Sequence, residues 1–552
     1  MPTDAPQSIP SLHAIVLLVL ALFAVVCLVS GLARRLGISY PILLIVTGVG
    51  LSVVPGLGHI PLPPELVFYV FLPPLLFTAA WETSWRALRY NLISVAMLAL
   101  GLVTFTIVGV TLIAPHLFES FDPRLAFLLG AIVSPTDAVA ASAIARKVGM
   151  PARIVETLEG ESLLNDATGL LALEFGLSMV VHDTTPTVMA GLGRLGWLVA
   201  VGVLVGAALG YLIAKLEQYL DDGPVEMLLS LLIPYAAYFA AEGIHASGVL
   251  AVVTCGLYLS RRRAQILSPD TRIQQAAVWE AMEFILNGAI FLVMGLQFRS
   301  VLSGISGLST PTAVAYGLGF SVALILLRLA WMFPGGSVAY SLRRLLQKQD
   351  EPRPPLKYIF VTGWVGMRGV IALAAATALP LRIDGGHRFP HRNLIVFLVY
   401  SVIIVTVVLQ GLALPWLIRL LKITPPRYEL VKESEIREQM LTAAIAGLER
   451  DRRDRPEEAH LYDDLLRQYQ LRLDEPESSP AGQSTTPDGR RVRELTVGAI
   501  TLERDKLLAL MEAGHVPEAL HKQLEHELDL RESQLQLRDG GTAAEPASRD
   551  VS

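Results

Sequence analysis

The segment Gly160-Glu161-Ser162-Leu163-Leu164-Asn165-Asp166 carries two carboxylates inside a stretch that is otherwise apolar enough to cross a lipid bilayer. One apolar stretch earlier, the chain reads Ser134-Pro135-Thr136-Asp137-Ala138 and places a third carboxylate within a similar stretch. Ionisable side chains are expensive inside a membrane, and they usually mark a pathway for ions or protons. These two segments therefore predict a membrane protein with an internal ionic site.

The composition supports a polytopic membrane protein. Of the 552 residues, 53% are hydrophobic and only 17% are charged, which is far from the average of soluble proteins. Charge is concentrated near the end: from Arg427 onward there are 18 Lys and Arg against 27 Asp and Glu. We therefore expect an all-α membrane domain over residues 12–420 and an acidic, helical cytoplasmic tail over 427–552.

A spanning helix needs about 20 apolar residues, and on this basis the sequence predicts about thirteen spans. The predicted spans are 12–33, 39–55, 65–81, 91–116, 125–146, 157–181, 188–216, 224–242, 245–260, 277–297, 312–333, 357–379 and 393–420. The loops after odd-numbered spans hold 17 Lys and Arg, and those after even-numbered spans hold five. Cytoplasmic loops are enriched in positive charge, so the N-terminus is predicted outside and the tail inside.

Two of these spans are poorly suited to continuous helices. Span 5 carries Pro135 at its middle, and span 12 carries Gly363, Gly366 and Gly369 around Arg368. Irregular backbone at membrane depth survives only where protein encloses it or where it lines a cavity. Interrupted helices at matching places in two halves indicate inverted repeats, so we expect spans 1–6 and 8–13 to be the repeats and spans 5 and 12 to cross.

A helical wheel of span 6 places Glu161, Ser162, Asn165 and Asp166 on one polar face, with the two carboxylates at its opposite edges. An arginine at mid-bilayer requires a permanent partner, so we predict an ion pair between Glu161 and Arg368. Asp166 then remains the exchangeable carboxylate, at which a proton and a dehydrated monovalent cation compete. Arg328, near the predicted end of span 11, is expected to extend to the membrane surface.

At these residues the chain resembles the monovalent cation:proton antiporters, a family that includes NhaP-type proteins and the animal sodium/hydrogen exchangers. The motifs that carry the resemblance are Phe71-Leu72-Pro73-Pro74-Leu75-Leu76-Phe77, Ser134-Pro135-Thr136-Asp137, Gly160 to Asp166 and Gly366-Met367-Arg368-Gly369. One departure concerns span 5, where many members read Thr-Asp-Pro and this chain has Ala138 after the aspartate.

The resemblance implies roles for single residues. Asp166 would bind the cation and carry the proton, Asp137 and Thr136 would belong to the unwound crossing, and Asn165 and Ser162 would complete the site. The pair Asn165–Asp166, where electrogenic relatives have two aspartates, implies electroneutral exchange. The resemblance also implies a homodimer in the plasma (inner) membrane, in which a six-helix core of each protomer moves to give alternating access. The exchanged ions would be H⁺ and Na⁺, or else K⁺ or Li⁺ in place of Na⁺.

The sequence is also compatible with other functions. A K⁺-selective proton antiporter is one alternative, and an intramembrane aspartic protease that uses Asp137 and Asp166 is another. The protease is disfavoured because neither Tyr-Asp nor Gly-x-Gly-Asp occurs within the spans. A channel is also possible on composition alone.

The tail is predicted to form helices over 431–472 and 489–536, separated by a linker near 475–489. No nucleotide, metal or catalytic motif is evident in it, and we expect no cofactor and no nucleic-acid partner. Membrane lipid is the remaining expected partner.

Overall fold

The computed structural model describes residues 12–54, 63–83, 85–118, 121–147, 150–182, 187–220, 222–267, 269–305, 309–346, 355–384, 386–423 and 433–454, with a few single positions beyond. Contacts divide the chain into two compact units, Met1–Pro425 and Pro426–Ser552. The described residues are mainly helical, and an isolated bridge between Arg382 and Arg388 is the one β-type pairing among them.

Seventeen helices account for this architecture. They are α1 (Leu12–Leu36), α2 (Tyr40–Leu51), α3 (Pro64–Glu82), α4 (Trp85–Leu117), α5 (Pro123–Val133), α6 (Ala138–Lys147), α7 (Ala152–Val181), α8 (Val188–Glu217), α9 (Gly223–Glu242), α10 (Gly248–Ile266), α11 (Pro269–Leu296), α12 (Phe298–Ser303), α13 (Thr310–Leu346), α14 (Leu356–Trp364), α15 (Val370–Thr377), α16 (Arg392–Leu421) and α17 (Glu433–Asp454). Short π-helical turns lie within α3, α4 and α16, at Val67–Phe71, Met97–Leu102 and Val405–Gln410.

Nine helices of the described part are long and apolar enough to cross a membrane. They correspond to nine of the predicted spans. The other four predicted spans fall on α2, which has 12 residues, on α10, and on two pairs of half-helices, α5 with α6 and α14 with α15. The all-helical membrane architecture is confirmed, and the count of thirteen stays a prediction.

Both predicted breaks are present. α5 ends at Val133, and Ser134 to Asp137 are not helical before α6 begins at Ala138. Pro135 has no N–H to donate and disfavours helical geometry in the residue before it, which explains the position of this break. The second break runs from Val365 to Gly369, where the glycines offer little helix propensity.

The two breaks cross each other. The backbone N–H of Asp137 donates to the carbonyl of Met367 at 2.9 Å, so the unwound segments satisfy each other's polar groups away from water. Four half-helix ends therefore converge on one region, as the predicted crossing of spans 5 and 12 requires.

Glycine contacts bring neighbouring helices close together. On α2 and α11, Gly48 and Gly295 face each other, and a Cβ on either would collide with backbone atoms of the other helix. On α8, Gly206 faces the carbonyl of Ala251 on α10 in the same way. Small residues at such points allow the close packing that holds membrane helices together.

The second unit contributes α17, which lies within the predicted tail helix 431–472. Arg452 forms an ion pair with Asp463 at 2.9 Å. The predicted linker near 475–489 lies outside the described residues, as does nearly all of the predicted helix 489–536.

Candidate functional site

A buried ion pair between Glu161 on α7 and Arg328 on α13 lies beside the crossing. The two terminal nitrogens of Arg328 donate to the two carboxylate oxygens of Glu161 at 2.6 and 2.8 Å, and neither side chain is more than 2% exposed. The Nε of Arg328 donates to the carbonyl of Gly363 at 3.0 Å, in the last turn of α14, where carbonyls lack helical partners. A side chain at Gly366 would collide with the guanidinium group. Arg328 thus neutralises both Glu161 and the negative end of α14.

The ion pair predicted between Glu161 and Arg368 is therefore wrong. The polar face of α7 was identified from the wheel, but a wheel gives the direction of a side chain and not the helix that packs there. The predicted span 312–333 also placed Arg328 near a membrane surface. Instead, α13 has 37 residues, and Arg328 lies at its middle, too deep to extend to solvent.

Arg368 binds the other break. One of its terminal nitrogens donates to the carbonyl of Ser134 at 3.1 Å and approaches that of Pro135 at 3.5 Å, and its side chain is buried. These carbonyls follow α5 and carry the partial negative charge of its C-terminal end. The backbone N–H of Arg368 donates to the hydroxyl of Thr406 at 3.1 Å. The two buried arginines thus each neutralise the C-terminal end of a half-helix.

Asp166 is the buried carboxylate of α7 that has no arginine against it among the described residues. Its side chain is 2% exposed, and its Oδ1 has no hydrogen-bond partner in the part of the chain that the structure describes. Asp137 lies close enough for the two negative charges to interact. A buried, unsatisfied oxygen is costly, and a proton or a cation would remove that cost.

Thr136 connects the broken segment to α7 through three hydrogen bonds. Its hydroxyl donates to Glu161 Oε1 at 3.1 Å and accepts from the Asn165 amide nitrogen at 2.6 Å, and its carbonyl accepts from Ser162 at 2.8 Å. The amide nitrogen of Asn165 is thus engaged, whereas its Oδ1 has no partner among the described residues. Two acceptor oxygens, one from Asn165 and one from Asp166, are consequently left buried and unsatisfied on the same face of α7.

A cavity of about 80 Å³ opens onto Asp166, Ser162 and the Thr136–Asp137 segment. Its polar lining consists of Thr136, Asp137, Glu159, Ser162, Asp166 and Asn287. The rest of the wall is apolar and comes mainly from α3, α11 and α15. The cavity provides access to Asp166 next to the crossing.

The crossing leaves no room for a side chain at Gly369. A Cβ there would overlap the carboxylate of Asp137. On α7, Gly169 is packed just as closely against Pro135, and this glycine lies on the polar face that the wheel identified. Glycine at these two positions lets α7 and the second break approach the first break directly.

Site residues that the sequence reasoning missed include Arg328, Thr406, Gln410 and Asn287. The side-chain amide of Gln410 donates to the backbone carbonyl of Trp364 at the end of α14. In return, the indole N–H of Trp364 donates to the backbone carbonyl of Gln410 at 3.2 Å. Thr406 and Gln410 lie one turn apart in the otherwise apolar span 13, and this spacing was an available signal for a polar face directed at span 12.

Two broken helices cross inside a bundle of membrane-spanning helices, beside a buried carboxylate that has no arginine partner among the described residues. This arrangement defines the class of secondary transporters for ions. The chain belongs to the transmembrane sodium/hydrogen exchanger family, whose model matches residues 19–420. The family resemblance is confirmed, and this family consists of transporters rather than enzymes.

Individual relatives support this assignment. The sodium, potassium, lithium and rubidium/H⁺ antiporter of Bacillus pumilus is 31% identical over 94% of this chain and 78% of its own length. The Na⁺/H⁺ antiporter ApNhaP of Aphanothece halophytica is 31% identical over 74% of this chain and 75% of its own. Among solved structures, the sodium proton antiporter MjNhaP1 of Methanocaldococcus jannaschii has the same fold, with a TM-score of 0.57, 20% identity, and coverage of 74% of this chain and 98% of that one.

Proposed function

We propose that this protein exchanges a monovalent cation for protons across the membrane, and that both bind at Asp166. The proposal rests on the different partners of the two buried carboxylates on one face of α7. Glu161 is held by Arg328, whereas Asp166 is buried without an arginine in contact among the described residues. A permanently paired carboxylate cannot exchange its partner, so Asp166 is the group left to bind in turn a cation and a proton.

The chemistry of exchange follows from charge. An isolated negative charge is strongly disfavoured at this depth, so Asp166 is best neutralised at each stage of the cycle. One proton or one monovalent cation supplies the same single positive charge, which makes the two mutually exclusive. Because Asn165 is neutral, Glu161 is paired and Asp137 keeps one charge state through the cycle, the exchange is one cation for one proton and electroneutral.

Oxygen donors are required when a dehydrated cation replaces the proton. The unsatisfied Oδ1 of Asn165, the hydroxyl of Ser162, the carboxylate of Asp137 and the Thr136 segment are the groups we assign to this role alongside Asp166. Hard monovalent cations favour oxygen ligands of this kind. The crossing breaks then act as the element that exposes the site to either side of the membrane in turn.

Na⁺ is the substrate we propose first, with K⁺ and Li⁺ as alternatives. The B. pumilus relative is named for transport of all three and of rubidium. Membership of a transporter family argues against the protease that would use Asp137 and Asp166. We further propose a homodimer in the plasma (inner) membrane, with the N-terminus outside and the tail in the cytoplasm. α1 is the least buried of the nine long apolar helices, so lipid or a second copy must cover its outer face.

The test is transport by purified protein in proteoliposomes with an acidic interior and a fluorescent pH probe. Na⁺, K⁺ and Li⁺ are added in turn to the wild type and to Asp166→Asn. Asp122→Asn is the matched control, because Asp122 caps the exposed start of α5 and asparagine caps equally well.

We expect cation-dependent alkalinisation of the interior in the wild type and in Asp122→Asn, and none in Asp166→Asn. A membrane potential imposed across the vesicles should leave the initial rate unchanged. Transport that persists in Asp166→Asn would refute the assignment of the site, and absence of any cation response in folded wild-type protein would refute the proposed exchange.

A further inference from the structure

A second, larger cavity lies on the side of α7 that faces away from the ion site. It has a volume of about 430 Å³ and is enclosed by α4, α7, α8 and the start of α10. Leu164 lines this cavity and lies about 160° around α7 from Asp166. Leu100 and Val199, also in its wall, are 47% and 40% exposed, so the cavity opens towards the outer surface of the helix bundle. Its wall is apolar over most of its length, which suits a hydrocarbon chain.

One end of this cavity is charged. Arg194, on α8, donates to the carboxylate of Glu174 on α7 at 3.3 Å and to the carbonyl of His245 at 3.1 Å. Glu242 lies in the same cluster, within electrostatic range of both Glu174 and Arg194, and accepts a hydrogen bond from the backbone of Gly248. The contact between Arg194 and Glu174 is longer than a strong charge-assisted hydrogen bond, so a competing anion could displace it.

Helix lengths place the charged cluster near the boundary between the acyl chains and the headgroups. α7 has 30 residues and is about 45 Å long, against a hydrocarbon thickness of about 30 Å. Glu174 is seven residues from the end of α7, and Arg194 is six residues from the start of α8, which places both about 10 Å from the helix ends. If α7 is centred in the bilayer, these side chains lie near the boundary between acyl chains and headgroups.

The signs of the charges select one kind of headgroup. With the imidazole of His245 neutral, two carboxylates and one guanidinium give the cluster a net negative charge, which disfavours a purely anionic lipid. An arginine suits a phosphate, whereas Glu174 and Glu242 suit a cation with hydrogen-bond donors. A primary ammonium has three such donors, and the quaternary ammonium of a choline has none.

We propose that this cavity binds a zwitterionic aminophospholipid of the phosphatidylethanolamine type. The phosphate binds Arg194, the ammonium group binds Glu174 and Glu242, and one acyl chain occupies the apolar part between α4, α7 and α8. The lipid thus contacts the helix that carries Asp166 on the face opposite the ion site.

The test measures binding and does not depend on transport, so its failure and the failure of the proposed exchange are distinguishable. Purified full-length protein in detergent is titrated with phosphatidylethanolamine, phosphatidylcholine or phosphatidylglycerol, and the midpoint of thermal unfolding is recorded. The variants are Arg194→Gln, Glu242→Gln and Ala96→Trp, the last of which fills the apolar part of the cavity. Arg299→Gln is the matched control, because Arg299 likewise donates to one backbone carbonyl, that of Val53, and does not line this cavity.

We expect phosphatidylethanolamine to raise the midpoint in the wild type and in Arg299→Gln, with an apparent affinity about tenfold weaker in Arg194→Gln and Glu242→Gln. Ala96→Trp, which keeps every charge, should also lose the effect. Equal stabilisation by all three lipids, stronger stabilisation by phosphatidylglycerol, or an unchanged response in the two charge variants would each overturn the proposal. If one variant does not fold, the other two decide between these outcomes.

Discussion

Replacing Arg328 with glutamine should destabilise the protein by about 3–5 kcal/mol, because the substitution leaves Glu161 buried with a negative charge and no partner. The wild-type arginine makes two charge-assisted hydrogen bonds to Glu161 and a third bond to Gly363. A glutamine can replace at most part of one of them, and bonds of this kind contribute about 1.5–3 kcal/mol each. Glu161→Gln should be similarly costly, since it leaves the guanidinium group of Arg328 unpaired in the membrane.

The double variant separates a direct pair from two independent effects. With both charges removed, neither an unpaired anion nor an unpaired cation remains, so Glu161→Gln combined with Arg328→Gln should cost clearly less than the sum of the single changes. The coupling between contacting residues is expected to reach about 2–3 kcal/mol. Glu161→Gln combined with Arg368→Gln serves as the contrasting cycle, because Arg368 donates to backbone carbonyls of the first break.

Free energies of unfolding in mixed micelles, measured reversibly by denaturant titration, provide the assay. A coupling of Glu161 with Arg328 that is clearly larger than its coupling with Arg368 would support the structure, because Arg368 interacts with Glu161 electrostatically but makes no hydrogen bond to it among the described contacts. Strong coupling to Arg368 with additivity to Arg328 would contradict the pairing seen in the structure. Single variants that each cost less than about 1 kcal/mol would contradict it as well.

Three further predictions concern the crossing and the helix packing. Gly369→Ala should reduce the initial transport rate in proteoliposomes by a factor on the order of 10², because the added Cβ overlaps the carboxylate of Asp137 and displaces the site. Gly319→Ala is the control and should transport normally, because a Cβ there meets open space. Thr136→Val should raise the cation concentration that gives half-maximal transport rate, because it removes the hydroxyl that links the broken segment to α7. Thr136→Ser keeps a hydroxyl and should behave like the wild type. The same half-maximal concentration in both variants would contradict this role. Gly48→Ala should lower the free energy of unfolding by about 1–3 kcal/mol, because the added Cβ forces α2 away from α11. Gly50→Ala, on the same helix, should leave it unchanged in the same denaturant titration, because a Cβ there has no atom within 4 Å.

The sequence was most informative where a residue type restricts the backbone by itself. Pro135 cannot donate a hydrogen bond and the glycines of span 12 weaken a helix, so both breaks were predictable from local chemistry. The polar face of α7 was predictable for a similar reason, because helical periodicity alone places Glu161, Asn165 and Asp166 on one side. The four broken or short predicted spans were the ones that length and hydropathy described least well.

The sequence by itself determined that this chain enters a membrane, which of its helices are interrupted, and that Glu161 and Asp166 share one polar face of α7. Only the tertiary structure decided which arginine pairs with Glu161, because that contact joins residues 167 positions apart on separate helices. Periodicity specifies the direction of a side chain relative to its own helix axis, whereas a partner on another helix depends on how the helices pack. For the same reason the second cavity and its charged end, built from four helices, could not be read from any one segment of the chain.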